Sequence, residues 1–338
     1  MNESLARGQW WPVATAEELL AAKPLARELL GVRLAVFRDS AGRPAALMDR
    51  CPHRFAPLSL GRVGDGQLQC LYHGWRFNGL GQCTQIPGRP TEGSRGSLVS
   101  SFQARESQGL IWIKLAGEAA ASAPTASNVQ TSDADALFLT DRVRCSLAEA
   151  AENFLDGFHT HFVHEGWIRH DTQRQTIEAT VHSLADGVEA IYRGEELQSG
   201  FLSRWLEGER GISMGRFRFP GLAEIEYRNR AGQLNLLVSA WLTPEDDRHL
   251  RMHARVLTRR TWIPAWAKKL ILGRLFRVIL RQDKEILEAT AENAAAFEKN
   301  GVKCEPLSTV NDLLAPSIRK LLNGEIIPHF ERNETIHL

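Results

Sequence analysis

The first third of the chain alternates hydrophobic and polar residues over short stretches, a pattern typical of β-strands. Between Trp10 and about Leu115, examples are the alternating stretch from Arg33 to Arg38 and the apolar run from Leu110 to Lys114. Ser40-Ala41-Gly42 is a tight-turn sequence that follows the first of these stretches. This region is therefore predicted to be an all-β domain of short strands.

The second half has longer runs with strand character. The predicted strands span Phe138 to Arg144, Gln175 to Leu184, Gly187 to Arg193, Arg216 to Asn229, Gln233 to Leu242 and His249 to Thr258. Asn229-Arg230-Ala231-Gly232 is a good hairpin turn, so neighbouring strands are expected to be antiparallel. The pattern predicts a second domain built on an antiparallel sheet.

Two helices are predicted in the same half. One begins at about Leu147, and the recurrence of Phe154, Phe158 and Phe162 every four residues predicts a helix face packed on a core. The other runs from about Pro264 to Lys299, where the proline marks the start and Asn300-Gly301 marks the end. With the sheets, these helices predict an α+β protein.

A stretch rich in Ala, Ser, Thr and Gly, from Ala116 to Ser132, separates the two patterns and is typical of a linker. A chain of 338 residues also exceeds the size at which one hydrophobic core usually stops growing. We therefore predict a first domain at residues 1–120, a linker at 121–135 and a second domain at 136–338.

Composition narrows the class of protein. Hydrophobic residues make up 43% and charged residues 24%, which is ordinary for a soluble globular protein. The net charge is +1, without a basic tract, which argues against a nucleic-acid partner. The apolar stretch from Leu270 to Leu280 is broken by Arg274 and Arg277, so no membrane span is predicted. Without a signal-peptide pattern at the N-terminus, the five cysteines predict thiols in a cytoplasmic protein.

The first candidate metal site is a pair of Cys/His motifs. Cys51-Pro-His53 is followed, after sixteen residues, by Cys70-Leu-Tyr-His73. Two loops that each offer one thiolate and one imidazole can bind a diiron cluster from two sides, and imidazole ligands raise its potential relative to four thiolates. Tetrahedral zinc uses the same four ligands and is the alternative.

The flanking residues carry a family resemblance. Cys51-Pro-His53-Arg54 and Cys70-x-Tyr72-His73-Gly74-Trp75 resemble the cluster loops of the Rieske non-heme iron oxygenases. The similarity covers about residues 8 to 115, including Phe77 to Pro87 and Gln108 to Ile113. It implies a Rieske [2Fe-2S] domain with Cys51, His53, Cys70 and His73 as cluster ligands. It also implies a helix-grip (START-like) catalytic domain after it, and a structural role for Cys83.

The second candidate site is a cluster of three of the eleven histidines within six residues, His159, His161 and His164. Two histidines and one carboxylate form the facial triad of mononuclear Fe(II) oxygenases. On a regular helix His161 and His164 share a face, whereas His159 and His164 do not. Spacing alone therefore favours His161 and His164 as the ligand pair.

The resemblance favours a different pair. Asn153, Asp156, His159 and His164 match the family pattern of Asn, Asp three residues on, His three further and His five further. This implies that His159 and His164 bind iron, that the helix is interrupted between them, and that His161 is a second-shell or pocket-wall residue. Gly157 and Glu165-Gly166 are compatible with the interruption.

The third ligand is expected on the long helix. Its apolar stripe comprises Phe276, Ile279, Leu280, Ile286, Leu287, Ala294 and Phe297, and its polar face comprises Arg281, Gln282, Glu285, Glu288 and Glu292. Asp283 lies in the middle of the apolar stripe, where a carboxylate is costly unless it forms an ion pair or binds a metal. Gln282-Asp283-x-x-x-Leu287-Glu288-Ala289 also resembles the third-ligand helix of the family, which implies that Asp283 is the iron ligand.

The resemblance further implies a terminal oxygenase with one Rieske cluster and one Fe(II) per subunit. Electrons would come from a ferredoxin and/or a flavin-dependent NAD(P)H reductase. Hydroxylation, oxidative demethylation or dihydroxylation of a small aromatic or heterocyclic substrate would follow. In the family, Asp156 lies between His159 and His73 of the partner subunit in a head-to-tail homotrimer, and Asn153 belongs to the same site. Chain length favours the homotrimeric monooxygenase and demethylase branch.

Two other functions remain open, a Rieske electron-transfer protein without a catalytic iron and a carrier of hydrophobic ligands. The candidates to line a pocket are Trp205, Phe217, Phe219 and Trp241, each of which is equally compatible with a place in the core. No cluster of Arg or Lys near the proposed triad in the sequence indicates a carboxylate-bearing substrate.

Overall fold

The computed structural model describes residues 1–88, 98–117, 134–172, 174–195, 200, 210–260 and 264–338. Its residues form two compact units. The N-terminal unit contains Glu3–Ala123 and Thr243–Asp247. The C-terminal unit contains Met1–Asn2, Pro124–Leu242 and Arg248–Leu338. The predicted linker up to residue 133 and Trp205 lie outside the described residues. The first strand of the C-terminal unit begins at Ala134.

The N-terminal unit consists of a six-stranded and a four-stranded sheet, both antiparallel, with strand orders β1-β10-β9-β4-β3-β2 and β5-β6-β7-β8. The elements are α1 (Glu3–Arg7), β1 (Trp11–Thr15), β2 (Leu25–Leu29), β3 (Val32–Arg38), β4 (Pro44–Met48), β5 (Arg62–Gly64), β6 (Gln67–Gln69), β7 (Arg76–Phe77), β8 (Cys83–Gln85), β9 (Ser101–Ser107) and β10 (Leu110–Lys114). Strands β3 and β10 confirm the strands predicted from Arg33 and Leu110. Phe37, Leu47 and Phe77 are fully buried in a core that lies next to the two Cys/His loops.

The C-terminal unit is built on one eight-stranded antiparallel sheet of order β11-β17-β16-β15-β14-β13-β12-β18. The strands are β11 (Ala134–Val143), β12 (Thr176–Leu184), β13 (Gly187–Arg193), β14 (Ile212–Arg218), β15 (Leu222–Arg228), β16 (Leu234–Pro244), β17 (Leu250–Arg259) and β18 (Glu331–His337). An antiparallel sheet with a long helix confirms the α+β class and the predicted helix-grip architecture.

One predicted strand is wrong. The stretch from Arg216 to Asn229 forms two strands, β14 and β15, which pair with each other. Pro220 lies between them and has no N–H to donate to a sheet ladder, so the chain turns there. The predicted hairpin at Asn229 is confirmed, because the N–H of Gly232 donates to the carbonyl of Asn229 at 2.9 Å.

The described residues of this unit include the helices α2 (Leu147–Leu155), α3 (Ala265–Lys299) and α4 (Ala315–Leu322). Ser146 and Glu149 form a capping box that fixes the start of α2. The long helix α3 matches its prediction to within one residue at each end. Helix α2 ends at Leu155, so the predicted face through Phe162 is wrong, and Phe162 is 61% exposed. Within the described residues, no helix has the apolar length needed to cross a membrane.

Gly187, at the start of β13, offers a test of how closely the sheet strands approach. A Cβ at this position would lie 2.0 Å from the backbone oxygen of Phe217 on β14. We expect Gly187→Ala to lower the free energy of unfolding by about 1–3 kcal/mol, because backbone atoms must move to relieve the overlap. Chemical denaturation followed by tryptophan fluorescence would measure the change.

Gly273→Ala is the matched control, because a Cβ on this residue of α3 meets no atom within 4 Å. It should be neutral or stabilise the protein by up to about 1 kcal/mol, since alanine favours helix more than glycine does. Equal destabilisation by both substitutions would contradict this account of β13.

Candidate metal centres

The two Cys/His loops adopt the same hydrogen-bonded turn. The N–H of Phe55 donates to the carbonyl of Cys51 at 2.9 Å, and the N–H of Gly74 donates to the carbonyl of Cys70 at 3.0 Å. Each cysteine N–H also donates to the carbonyl five residues on, at 2.9 and 2.8 Å. Phe55 and Gly74, at equivalent positions, have positive φ angles of 60° and 72°. The two loops therefore share one backbone turn, and each carries one cysteine and one histidine of the predicted ligand set.

These turns bring four donor side chains together. The thiols of Cys51 and Cys70 are buried, and the ring centroids of His53 and His73 are 4.4 Å apart. Burial raises the pKa of the Cys51 thiol to about 11, and its neighbour Cys70 adds to the effect. The buried Nδ1 of His53 has no hydrogen-bond partner among the described residues. Two adjacent sulfurs and an unpartnered imidazole nitrogen fit a cationic group ligated by sulfur and nitrogen, as a Rieske cluster is.

The second centre joins His159, His164 and Asp283. The Nε2 atom of His164 lies 3.0 Å, and that of His159 lies 3.4 Å, from the same Oδ1 atom of Asp283. One ligand atom from each residue lies within 4.8 Å of the other two. Ligands at about 2.1 Å from one ion and at right angles to each other are about 3 Å apart. The three side chains therefore fit one metal ion.

An irregular loop positions the two histidines. Helix α2 ends at Leu155, and the Asp156 carboxylate accepts hydrogen bonds from the N–H of Phe158 at 2.8 Å and of His159 at 3.0 Å. A short 3₁₀ turn then spans His159–His161. The Nδ1 atom of His159 is 3.5 Å from Oδ2 of Asp156, too poorly aligned for a hydrogen bond. The break allows residues five apart, His159 and His164, to approach with ring centroids 5.1 Å apart.

His161 lies apart from the triad. Its side chain is 1% exposed, and its Nδ1 atom is 3.1 Å from the carbonyl oxygen of His170. It is absent from the described lining of the cavity beside the triad. Burial lowers the pKa of its imidazole, which favours the neutral form. The pairing of His161 with His164 that helical spacing favours is therefore wrong, and so is the pocket-wall role.

Two further side chains hold the triad in place. The Nδ2 amide of Asn153 donates to Oδ1 of Asp283 at 3.0 Å, and Nδ1 of His164 lies 3.0 Å from Oε1 of Gln282. The Gln282 carbonyl oxygen favours the tautomer with the proton on Nδ1 of His164, which leaves the Nε2 atom with a lone pair toward Asp283. Gln282, which was predicted on the polar face opposite the apolar stripe of α3, is half-buried and contacts the buried His164, so that prediction is wrong.

The same network sets the charges of the triad. Burial lowers the pKa of His159, but the adjacent carboxylates of Asp156 and Asp283 outweigh it and raise the pKa to about 9. Burial raises the pKa of Asp283, but the hydrogen bonds from His159 and His164 hold it well below its usual range. His159 and Asp283 therefore each favour the charged form of the other.

A cavity of about 150 Å³ opens beside the triad, between the sheet and helix α3. Its apolar lining comprises Leu139, Phe154, Leu155, Ile168, Ile225, Leu236, Val238, Ala254, Val256, Phe276, Ile279, Leu280 and Leu338. The predicted pocket residues Phe217, Phe219 and Trp241 do not line it, and Phe217 and Trp241 are fully buried in the core. The aromatic side chains at the cavity are instead Phe154, Tyr192, Tyr227 and Phe276.

A buried ion cluster stabilises the irregular loop that carries His159 and His164, here called the ligand loop. Arg169 donates through Nε and Nη2 to Oε1 of Glu195 at 3.0 and 2.7 Å, and through Nη1 to Thr160 Oγ1 at 2.8 Å. Arg210 pairs with the other oxygen of Glu195. Burial raises the pKa of Glu195, but Arg169 and Arg210 outweigh it and lower the pKa to about 2. Glu195 is therefore ionised and ties the loop that carries His159 to the end of β13.

Both parts of the chain match known protein families. Residues 9–103 match the Rieske [2Fe-2S] domain, and residues 143–326 match the vanillate O-demethylase oxygenase C-terminal domain. The chain is 39% identical over 158 residues to the oxygenase component of dicamba O-demethylase from Stenotrophomonas maltophilia, which covers 46% of each protein. It is 28% identical over 257 residues to the oxygenase subunit of 3-chlorobenzoate-3,4-dioxygenase from Comamonas testosteroni, covering 73% of this chain and 58% of that one.

Among solved structures, dicamba monooxygenase bound to 3,6-dichlorosalicylic acid matches with a TM-score of 0.80 and 25% identity, covering 94% of this chain and 97% of that one. A Rieske domain followed by a helix-grip unit with a two-histidine, one-carboxylate cluster defines the Rieske-type oxygenase class. The chain belongs to the Rieske non-heme iron oxygenases. The model of the vanillate O-demethylase oxygenase C-terminal domain matches more than half of the chain, so the second domain is of this type. The matched segments span less than two thirds of the length of the two relatives named.

Arg169→Met tests the buried ion cluster. The substitution leaves Glu195 without its bidentate partner and Thr160 without its donor, so we expect a loss of about 3–5 kcal/mol in the free energy of unfolding. Arg174→Met is the control, because Arg174 pairs with Asp171 where both side chains are more than a third exposed. The control should cost less than about 1 kcal/mol. Urea denaturation compares the two, and losses of similar size would contradict a stabilising role for the cluster.

Proposed function

We propose that this protein is the terminal oxygenase of a multicomponent system, which uses O₂ and supplied electrons to hydroxylate or oxidatively demethylate a small aromatic or heterocyclic substrate. The observation that carries the proposal is the convergence of His159, His164 and Asp283 at the wall of a mostly apolar cavity. An electron-transfer protein or a carrier has no use for a two-histidine, one-carboxylate set at that position.

The proposed ligands follow from the donor sets. Cys51, His53, Cys70 and His73 would hold the [2Fe-2S] cluster, and His159, His164 and Asp283 would hold one Fe(II). When bound, the cluster supplies single electrons and the iron supplies the redox chemistry that activates O₂. This assignment uses every donor of the two centres and leaves Cys83, whose sulfur packs in the N-terminal core, as a structural residue.

The protein's own side chains prepare the iron site. Asn153 fixes the Asp283 carboxylate and Gln282 fixes the ring of His164, so neither ligand needs to reorganise when the metal binds. The apolar side chains of α3 and the sheet bury a ring-shaped substrate next to the triad and keep water away from it. The relatives that act on dicamba and 3-chlorobenzoate support an aromatic substrate for this chain.

The electron source is proposed to be a ferredoxin and/or a flavin-dependent NAD(P)H reductase, as for other oxygenase components. We also propose a head-to-tail homotrimer in which Asp156 faces His73 of the partner subunit. Large apolar side chains surround the exposed His73, including Leu71 and Tyr72 at 71% and 65% exposure. Asp156 is itself 37% exposed, so its carboxylate is available to a second chain.

Iron analysis tests the proposal. The holoprotein should contain three irons per chain, two in the cluster and one in the triad, and should consume O₂ with a member of a panel of aromatic and N- or O-methylated compounds. Asp283→Ala should retain two irons and the spectrum of the reduced cluster but lose O₂ uptake, because the third ligand is gone. Asp141→Ala, a carboxylate paired with Lys284 outside the triad, should keep all three irons.

The alternatives give different counts. Two irons in the unaltered protein would identify an electron-transfer protein, and none would identify a carrier. Retention of three irons by Asp283→Ala would overturn the proposed ligand set.

Asp156→Asn tests the link between the centres. The amide can still accept the N–H of Phe158, but it lacks the negative charge that the two metal-bound imidazoles would share, so we expect turnover to fall about 10–100-fold with both metals bound. Stopped-flow absorbance should show normal reduction of the cluster and slow reoxidation by O₂ with substrate. Asp186→Asn, an exposed carboxylate near Arg218, is the control. Full turnover of Asp156→Asn would refute the role.

A further inference from the structure

A row of three hydroxyl-bearing side chains crosses the cavity side of the sheet. Tyr192 on β13 is aligned with Ser213 on β14, which is aligned with Tyr227 on β15. Aligned residues of antiparallel neighbours point to the same face with Cβ atoms about 5 Å apart, so the row is about 10 Å long. All three residues line the same cavity as His159, His164 and Asp283. The row therefore brings three hydroxyl-bearing side chains to one side of the cavity.

The central hydroxyl lacks a partner. Ser213 is 5% exposed, and its Oγ atom makes no hydrogen bond among the described residues. A buried hydroxyl without a partner costs free energy, and most such groups in proteins are satisfied. A ligand in the cavity that forms a hydrogen bond with the Ser213 hydroxyl would explain a buried serine at this position.

The two tyrosines have different surroundings. Burial raises the pKa of Tyr192 well above its usual value, and the charge of Asp156 adds to this, so its phenol keeps its proton. The guanidinium of Arg210 lies 4.1 Å from the centroid of the Tyr227 ring and is itself paired with Glu195. The buried ion cluster that ties down the ligand loop thus also packs against one end of the row.

The rest of the sheet lining is apolar. Beyond Tyr227 the next aligned residue is Leu236 on β16, and the other lining residues from the sheet include Ile225, Val238, Ala254 and Val256. A ligand with one polar end thus has one favourable orientation on the sheet, with that end at the hydroxyl row and its apolar body on the remaining side chains. Helix α3 and the ligand loop contribute the triad to the same cavity.

We propose that Tyr192, Ser213 and Tyr227 bind an oxygen acceptor of the substrate and so determine both its class and its orientation. The substrate is then a single-ring compound with a carboxylate or carboxamide oxygen at the row, and its reacting group faces the triad. The reaction at that group rests on the proposed function, whereas binding by the row does not need turnover. None of the three residues is a proposed metal ligand.

Three probes of similar shape test this assignment in binding experiments with the holoprotein. Opposite the methoxy group that all three share, 4-methoxybenzoate carries an anionic acceptor and 4-methoxybenzamide a neutral one, whereas 4-isopropylanisole carries an isopropyl group that accepts no hydrogen bond. Isothermal titration should show that Ser213→Ala, Tyr192→Phe and Tyr227→Phe each weaken binding of the acceptor probes about five- to tenfold. Binding of 4-isopropylanisole should change less than about twofold, since its isopropyl group forms no hydrogen bond to the row. The benzoate and benzamide arms distinguish a charged from a neutral acceptor.

Ser239→Ala is the matched control. Ser239 is a buried serine of the same sheet, but its hydroxyl donates to Glu224 and it does not line the cavity. Its removal should leave the ratio of the three affinities unchanged. The proposal is overturned if the row variants weaken all three probes equally, if the unaltered protein binds 4-isopropylanisole as tightly as the acceptor probes, or if it binds none of them.

The two proposals fail separately. A holoprotein that discriminates the probes through the row but never consumes O₂ overturns the oxygenase function and supports the row. A holoprotein that consumes O₂ with equal affinity for all three probes overturns the row and supports the oxygenase function.

Discussion

The C-terminal site depends on one largely buried carboxylate. Oδ1 of Asp283 accepts a hydrogen bond from the side-chain amide of Asn153 and faces the Nε2 atoms of His159 and His164, and all three nitrogens lie within 3.4 Å of it. A carboxylate on the inward side of a helix is costly unless donors or a cation surround it. The donors come from the last turn of α2 and from the loop after it. Helix α3, helix α2 and the loop are therefore fixed relative to one another by a single charged group.

The loop that carries the histidines needs support of its own, because it lacks the regular hydrogen bonds of a helix. At its start, Asp156 accepts two backbone N–H groups. Farther along, Arg169 bonds the carbonyl of Gly157 and the hydroxyl of Thr160, and anchors both to Glu195. The irregular backbone that brings two histidines together is thus stabilised by side chains, and each of these side chains is charged and mostly buried.

The parts of the structure that were predictable from sequence depend on local spacing. The two Cys/His loops form the same short turn, and Asp283 interrupts an apolar stripe of one helix, so both were visible along the chain. Gln282 was misplaced because helical periodicity describes where a side chain starts and not how far it reaches. Tyr192, Ser213 and Tyr227 were missed because only the register of three strands, fixed by the folded sheet, aligns them. Arg169 and Arg210 likewise meet at Glu195 from separate segments, so no arginine cluster was visible in the sequence.

The two centres differ in exposure in the direction that their proposed roles require. His73 is exposed at the end of a surface loop, and the side chain of His164 is 1% exposed inside the C-terminal unit. A group that exchanges single electrons with other proteins must be near the surface, since electrons pass between partners over short distances. A site that activates O₂ must instead exclude water and unwanted reductants until a substrate is present. An imidazole at the surface and an imidazole in the core are chemically the same ligand, so the fold separates the two tasks by burial. The row of Tyr192, Ser213 and Tyr227 is the polar part of the described sheet lining, so it is the part that can distinguish one end of a substrate from the other.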